Sequence, residues 1–135
     1  MANAGFSYTV TLSNAHLSWG THRYTHSRPT IYGEGYIPIP ANVARSQNIL
    51  NSNGTNNKDI LGKNIFICSS VDGYLNKVSM KSQGCNQAGS IYAKQFSANG
   101  NLKVIGQWYQ HMNCKIGDIV RVTWTSSHEI LIEKI

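Results

Sequence analysis

Acidic residues are scarce in this chain. Its 135 residues include 12 Lys and Arg but only six Asp and Glu, which gives a formal net charge of +6 at pH 7. No two of these acids are adjacent in the sequence, and residues 1–33 and residues 73–117 contain no Asp or Glu at all. A polyanion could lie along both stretches without meeting a carboxylate. The charge pattern indicates a nucleic-acid partner, although a chance gap in the acids of a basic protein would produce the same pattern.

Motifs of catalytic sites are also missing. The acids form no Glu-x-Lys or Asp-x-Asp motif, which a metal-dependent nuclease would use to gather carboxylates around a cation. The sequence contains no His-x-Lys motif, no Gly-x-Ser-x-Gly elbow, no phosphate-binding Gly-Lys-Ser/Thr loop and no dinucleotide fingerprint. We therefore expect no catalytic residues and no cofactor in this chain. A catalytic site assembled from distant residues is the alternative.

Cysteines are few, and long apolar runs are absent. Cys68, Cys85 and Cys114 form no C-x-x-C pair and are odd in number, which argues against a disulfide framework and a structural zinc site. No apolar run approaches the roughly 18 residues needed to cross a bilayer. The first residues lack the basic and apolar regions of a secretory signal. We therefore expect no membrane segment and a cytoplasmic location.

The hydrophobic pattern predicts short strands. Alternation over residues 6–12 places Phe6, Tyr8, Val10 and Leu12 on one strand face. The proline-interrupted residues 36–40 predict an edge strand, and Pro40 suits the first position of a short helix over residues 41–47. The Asn-rich residues 48–63 predict a surface loop.

The second half of the chain continues this pattern. Asp72-Gly73 is a two-residue hairpin signal, residues 102–105 read as an extended piece, and residues 106–112 predict a second short helix. Further strands are predicted at residues 64–68, 74–81, 90–96, 119–124 and 129–133. About seven strands, two short helices and no internal repeat predict one all-β domain over residues 1–135, built as a sandwich or a barrel.

The first predicted strand is followed by a segment that contains residue types suited to contacting DNA. Arg suits bidentate contact to guanine, and Ser and Thr hydroxyls suit phosphates. Its candidate contacts are Ser18, Trp19, Thr21, His22, Arg23, Tyr24, His26 and Arg28. With His16, the segment holds three histidines but no Cys, Asp or Glu to complete a metal site, so we predict no metal. Trp19 and Tyr24 could equally hold the arm against the barrel.

A second such segment covers residues 77–95. Gln and Asn suit bidentate contact to adenine, Lys suits phosphates, and Gly allows close approach to DNA. The candidate contacts are Lys77, Lys81, Ser82, Gln83, Asn86, Gln87, Tyr92, Lys94 and Gln95, with Lys103 and Gln107 as further phosphate contacts. Taken alone, this segment could be an ordinary solvated hairpin.

Several motifs resemble, in order, the B-three DNA-binding pseudobarrel, which occurs in auxin-response-factor-like plant transcription factors and in some type II restriction endonucleases. They are Thr11-Leu12-Ser13, Tyr36-Ile37-Pro38-Ile39-Pro40 before a helix, Gly106-Gln107-Trp108, and Lys115-Ile116-Gly117-Asp118-Ile119-Val120 before the last hairpin. Together they extend over nearly the whole chain. The plant pattern has Lys or Arg directly after Ile-Pro, whereas this chain has Ala41, so the restriction-endonuclease branch is favoured.

The resemblance implies a seven-stranded open pseudobarrel with two short helices that clamps the major groove of duplex DNA. Residues 18–28 would form the N-terminal arm and residues 77–95 the C-terminal arm. The implied role is target recognition by a monomeric domain, with no membrane contact, for a nuclease domain or subunit located elsewhere. One alternative is a barrel for single-stranded nucleic acid or RNA that stacks bases on Trp19, Tyr24, Tyr74 and Tyr92. Another is a carbohydrate-binding or protein-binding β module.

Overall fold

Seven strands form one sheet that curls until its two edge strands meet. The computed structural model describes residues 4–13, 35–51, 60–83, 91–100 and 103–135. In these ranges the strands are β1 (Ser7–Thr11), β2 (Ile37–Pro38), β3 (Ile65–Ser70), β4 (Val78–Gln83), β5 (Gln95–Ala98), β6 (Ile119–Trp124) and β7 (Glu129–Lys134), and the helices are α1 (Ala41–Ser46) and α2 (Val104–His111). The sheet order is β1-β6-β7-β3-β4-β5-β2.

The sheet is an open barrel. The Tyr8 hydroxyl on β1 donates to the Pro38 carbonyl on β2, 3.1 Å away, across the gap between the two edges. Strand pairs are antiparallel except for β3 and β7, which run parallel. The predicted all-β pseudobarrel with two short helices is confirmed for the described residues. The predicted edge strand is confirmed as the two-residue strand β2. It lies at an edge of the sheet because the backbone nitrogen of proline has no hydrogen to donate to a neighbouring strand.

The inside of the barrel is filled by aromatic rings around Trp124, which is fully buried at the end of β6. Its ring lies 5.8 Å from Phe6, 6.1 Å from Tyr8, 6.0 Å from Phe66 and 6.1 Å from Phe96, measured between centroids. These tilted and edge-to-face arrangements are the ones that aromatic pairs prefer. The alternation predicted for residues 6–12 is confirmed by the burial of Tyr8 and Leu12 and the exposure of the residues between the inward positions.

Two predicted boundaries in the middle of the chain are wrong. The Asp72-Gly73 turn does not lead directly into a strand, because the Tyr74 amide donates to Asp72 and the Leu75 amide to Ser70 Oγ, and this looped backbone delays β4 until Val78. The predicted strand over residues 90–96 is displaced to Gln95–Ala98, with a single bridge between Tyr92 and Leu50 before it.

The second helix begins earlier than predicted. Residues 104–105 are not extended, since α2 starts at Val104. Ile105, Trp108 and Tyr109 are buried at helical spacing, so burial of an apolar stripe favours the additional helical residues. The other helix, α1, begins at Ala41, and Pro40 is its N-cap residue rather than its first helical residue.

The predicted surface loop over residues 48–63 is partly buried. Ile49 and Asn51 are fully buried, as is Asn64 just after the loop. The Asn64 side-chain oxygen accepts a hydrogen bond of 2.7 Å from the Ile60 amide. Burying such an amide is tolerated when its polar atoms find partners. Composition alone identified a polar loop here, but these buried side chains hold its ends against the barrel.

Helix α2 is attached to the turn between β3 and β4. Trp108 Nε1 donates to Asp72 Oδ1 at 3.0 Å, and the imidazole of His111 stacks on Tyr74 with 4.2 Å between ring centroids. Partial burial works to raise the pKa of Asp72, but the hydrogen bonds from Trp108 and the Tyr74 amide outweigh it. The net result is a pKa below the ordinary value of 3.8.

This lowered pKa makes the stability contribution of Asp72 depend on pH. The charged carboxylate is favoured in the folded state, so its contribution is present above pH 3.8 and is lost as the pH falls through the lower folded-state pKa. We expect Asp72→Asn to lower the free energy of unfolding at neutral pH, and the deficit to shrink at about pH 2. Denaturant titration of both proteins at the two pH values measures this. A deficit of equal size at both would contradict the assignment.

Candidate nucleic-acid interface

The base of the predicted C-terminal arm is formed by β4 and β5. Gln83 lies directly opposite Gln95 in this antiparallel pair, and Lys81 lies opposite Ser97. Side chains two residues apart share a sheet face, so these four project on one side. Directly opposite Cβ atoms are about 4.5–5.5 Å apart. The structure therefore brings together Lys81, Gln83 and Gln95, three of the predicted contact residues.

Gln83 is held in place by its neighbour. The Ser97 hydroxyl donates to Gln83 Oε1 at 3.0 Å. With this oxygen engaged, the amide nitrogen of Gln83 keeps two hydrogens for other acceptors. The Gln83 side chain is half-buried, so it is partly constrained and still accessible. A glutamine in this state is suited to contacting the edge of a base.

The structure places other predicted contact residues away from this group. Lys77 is exposed before the opposite end of β4, roughly 20 Å from Gln83 at about 3.4 Å per strand residue. Lys103 and Gln107 lie one turn apart on the exposed side at the start of α2, where the Gln107 amide donates to the Lys103 carbonyl. The predicted N-terminal arm residues lie outside the described residues, as do Asn86 and Gln87.

Ser82 is buried and does not contact solvent. Its side chain is fully buried, and its hydroxyl donates to the Leu50 carbonyl at 2.6 Å. That hydrogen bond ties β4 to the segment after α1. Ser82, which was predicted as a contact, is therefore part of the interior of the barrel in this structure.

A groove lies beside the C-terminal arm, between α1 and the segment that leads into β5. It measures about 390 Å³ and is lined by Ile39, Ala41, Arg45, Tyr92, Ala93 and Lys94. Tyr92 and Lys94 were predicted as contacts, whereas Arg45 was not. The sequence feature that could have pointed to Arg45 is that residues 35–57 also lack acids and contain Arg45 as their one cation. Only the fold shows that this arginine lines the same groove as Lys94.

Among the described residues, the carboxylates are confined to one part of the barrel. Glu34 and Asp59 lie outside the described residues, and the other four acids are Asp72, Asp118, Glu129 and Glu133. They belong to the turn after β3 and to the hairpin of β6 and β7, where Glu133 pairs with Arg121 and Asp118 with Lys134. The strands β2, β4 and β5 and helix α1 contain no carboxylate, and among the helices and strands only β7 contains any. We call β2, β4, β5 and α1, with the groove, the acid-free side.

The two principal cations of the acid-free side are available to a ligand. Arg45 and Lys94 are exposed, and neither pairs with a carboxylate of the described residues. By contrast, Arg121 and Lys134 are neutralised by their partners. The acid-free side is therefore the part of the described surface best suited to a polyanion.

Membrane helices and metal clusters are both missing from the described ranges. No helix in them is long and apolar enough to cross a bilayer. No three His, Cys, Asp or Glu side chains in them lie close enough to hold a metal ion. Burial raises the pKa of the Cys68 thiol to about 12, which leaves it protonated and unreactive at neutral pH.

The role of Ser82 in the fold is testable. Ser82→Ala leaves the part-buried Leu50 carbonyl without this donor, so we expect it to lower the free energy of unfolding by about 1–3 kcal/mol. Ser79→Ala is the matched control, because Ser79 lies on the opposite face of the same strand, and it should change stability by less than about 0.5 kcal/mol. Urea denaturation measures both. Equal effects of the two substitutions would refute the assignment.

Comparison of the chain with protein-family models, with curated proteins and with solved structures gave no match.

Proposed function

We propose that this chain binds duplex DNA sequence-specifically through the acid-free side of the barrel and its two arms. The observation that carries the proposal is the division of charge. Arg45 and Lys94 are exposed where no carboxylate of the described residues competes. Lys94 directly precedes Gln95 in the chain, and its amide donates to the Gln83 carbonyl, which ties the groove to the row of Lys81, Gln83 and Gln95. Cations next to amide side chains are the usual combination for phosphate and base-edge contacts.

The roles of the side chains follow from their chemistry. Arg45 and Lys94 contact backbone phosphates and fix the register of the protein on the duplex. Gln83 and Gln95 contact base edges in the major groove, which is wide enough for a two-stranded β-ribbon. Lys103 and Gln107, at the start of α2, contact phosphates further along the duplex. The N-terminal arm, with Arg23 and Arg28, grips the duplex from the other side.

The resemblance to the B-three domain supports this assignment and extends it. The order of elements is compatible with the motifs on which the resemblance rests: a short edge strand leads into α1, α2 precedes the final hairpin, and the described residues form a seven-stranded open barrel. We further propose that the chain is the target-recognition domain of a type II restriction endonuclease. Another domain or subunit would then supply the cleavage chemistry.

Phosphate binding predicts a steep response to salt. If about six phosphates are contacted, the logarithm of affinity should fall with the logarithm of salt concentration at a slope of about −5. The double variant Arg45→Gln, Lys94→Gln should make that slope shallower by about 0.9 for each phosphate that the variant no longer neutralises, and should weaken binding to all duplexes alike. Fluorescence anisotropy titrations at several salt concentrations measure the slope.

The control for this experiment is a second double variant of the same net charge. Arg121→Gln, Lys134→Gln removes two cations that are already paired with carboxylates on the opposite part of the barrel. Its slope and affinity should stay close to those of the wild type. A flat salt response of the wild type, or equal losses of affinity in the two double variants, would overturn the proposal.

Base reading predicts a loss of affinity that depends on DNA sequence. Selection of bound duplexes from a random pool should yield a preferred site. Gln83→Ala should weaken binding to that site by about 1–3 kcal/mol and relax one base position, with little effect on scrambled duplexes. Competition with single strands of the same sequence separates duplex recognition from the stacking alternative. The proposal fails if selection yields no preferred site, or if single strands compete better than duplexes.

A further inference from the structure

The groove beside the C-terminal arm is larger than a phosphate contact requires. Its volume of about 390 Å³ lies within the roughly 300–1,000 Å³ of small-molecule sites. A water molecule takes only about 30 Å³ of liquid volume, so the groove accommodates a phosphate together with a group of considerable size.

The lining of the groove indicates the chemistry of its occupant. Arg45 and Lys94 provide positive charge, which fits an anionic group. Tyr92 provides an aromatic ring, and Ile39, Ala41 and Ala93 provide an apolar wall. Small side chains at positions 41 and 93 leave the space open. A phosphate joined to a flat, largely apolar ring meets each of these requirements, and a nucleotide has this composition.

The backbone on both sides of the groove is fixed by hydrogen bonds. The Ile39 amide donates to the Lys94 carbonyl at 2.8 Å, and the Ala93 amide donates to the Ile49 carbonyl at 3.0 Å. Tyr92 forms a β-bridge with Leu50. The groove is therefore formed before any ligand arrives, and little conformational entropy is lost on binding.

We propose that this groove binds one unpaired nucleotide of a DNA strand, with its phosphate between Arg45 and Lys94 and its base against Tyr92. This inference rests on the proposed function, because it assigns the groove to the same DNA that the acid-free side binds. Extracting a base from a duplex costs stacking and pairing energy, and the cost is smallest for a base that is already unpaired. The protein should therefore prefer a duplex that carries such a base.

The test compares a short duplex containing one unpaired thymidine with the same duplex fully paired, by fluorescence anisotropy. The wild type should bind the first about tenfold more tightly, which is the order of effect that stacking one base on an aromatic ring supplies. Ala41→Leu fills the groove and keeps both cations, so it should abolish this preference and retain affinity for the paired duplex. Leucine is a good helix former, and position 41 is exposed.

Two more variants test whether the preference for the unpaired base depends on the groove itself or on the surface beside it. Asn42→Leu makes the neighbouring substitution at an exposed position outside the groove, and it should keep the preference of about tenfold. Tyr92→Leu removes the aromatic ring and should reduce the preference to about twofold or less. Equal binding of both duplexes by the wild type, or a preference that survives Ala41→Leu, overturns the proposal.

The source of the nucleotide is decided by competition with free thymidine 5′-monophosphate. Displacement of the unpaired-base duplex at concentrations comparable to that of the duplex would assign the groove to a free nucleotide and overturn the proposal. Salt-dependent binding of the paired duplex without any preference for the unpaired base would overturn the groove assignment alone. Failure to bind either duplex would overturn the proposed function itself.

Discussion

The packing of rings around Trp124 is the interaction on which the rest of the structure depends. Its neighbours come from strands spread along the sheet: Tyr8 from β1, which pairs with β6 itself, Phe66 from β3, two strands away, and Phe96 from β5, four strands away. In a flat sheet Phe96 would lie four strand spacings from Trp124. Only a strongly curled sheet brings them to one ring, so burial of this cluster and closure of the barrel are a single event.

Closure of the barrel also determines what lies outside it. With the aromatic side chains inside, the alternate residues of each strand must face outward. On β4 this places Lys81 and Gln83 on the outer face, while Met80 and Ser82 are buried. At the sheet edge β2 pairs with β5, and the end of β2 carries α1 to the base of the C-terminal arm. The groove between Arg45 and Lys94 is a consequence of that arrangement.

The division of charge has a physical basis that does not depend on the groove. Carboxylates in the β6–β7 hairpin neutralise the cations beside them, so that part of the surface contributes little net field. On the acid-free side the positive charges are not cancelled locally. In the function that we propose, an approaching polyanion is attracted to this part of the barrel before any contact with bases. Polar side chains such as Gln83, held by Ser97, would then discriminate among the bases presented.

The fold class could be read from the sequence because it depends on local patterns, and the residue types on which the proposed function rests come from local patterns too. Alternation of apolar residues, prolines at an edge strand and the acid-free stretches are visible without coordinates. Element boundaries were less predictable. The looped backbone after Asp72 and the early start of α2 arise from contacts of Ser70 Oγ and Trp108 with parts of the chain away from the predicted boundary.

The sequence by itself determined that this is a basic all-β chain with two acid-free stretches. Only the tertiary structure decided which of their residues meet. It places Ser82 in the interior, Gln83 opposite Gln95, and Arg45 and Lys94 in the lining of one groove. The reason is that strand pairing and barrel closure connect residues far apart in the chain. Such connections depend on the burial of the whole core, and no local pattern encodes them.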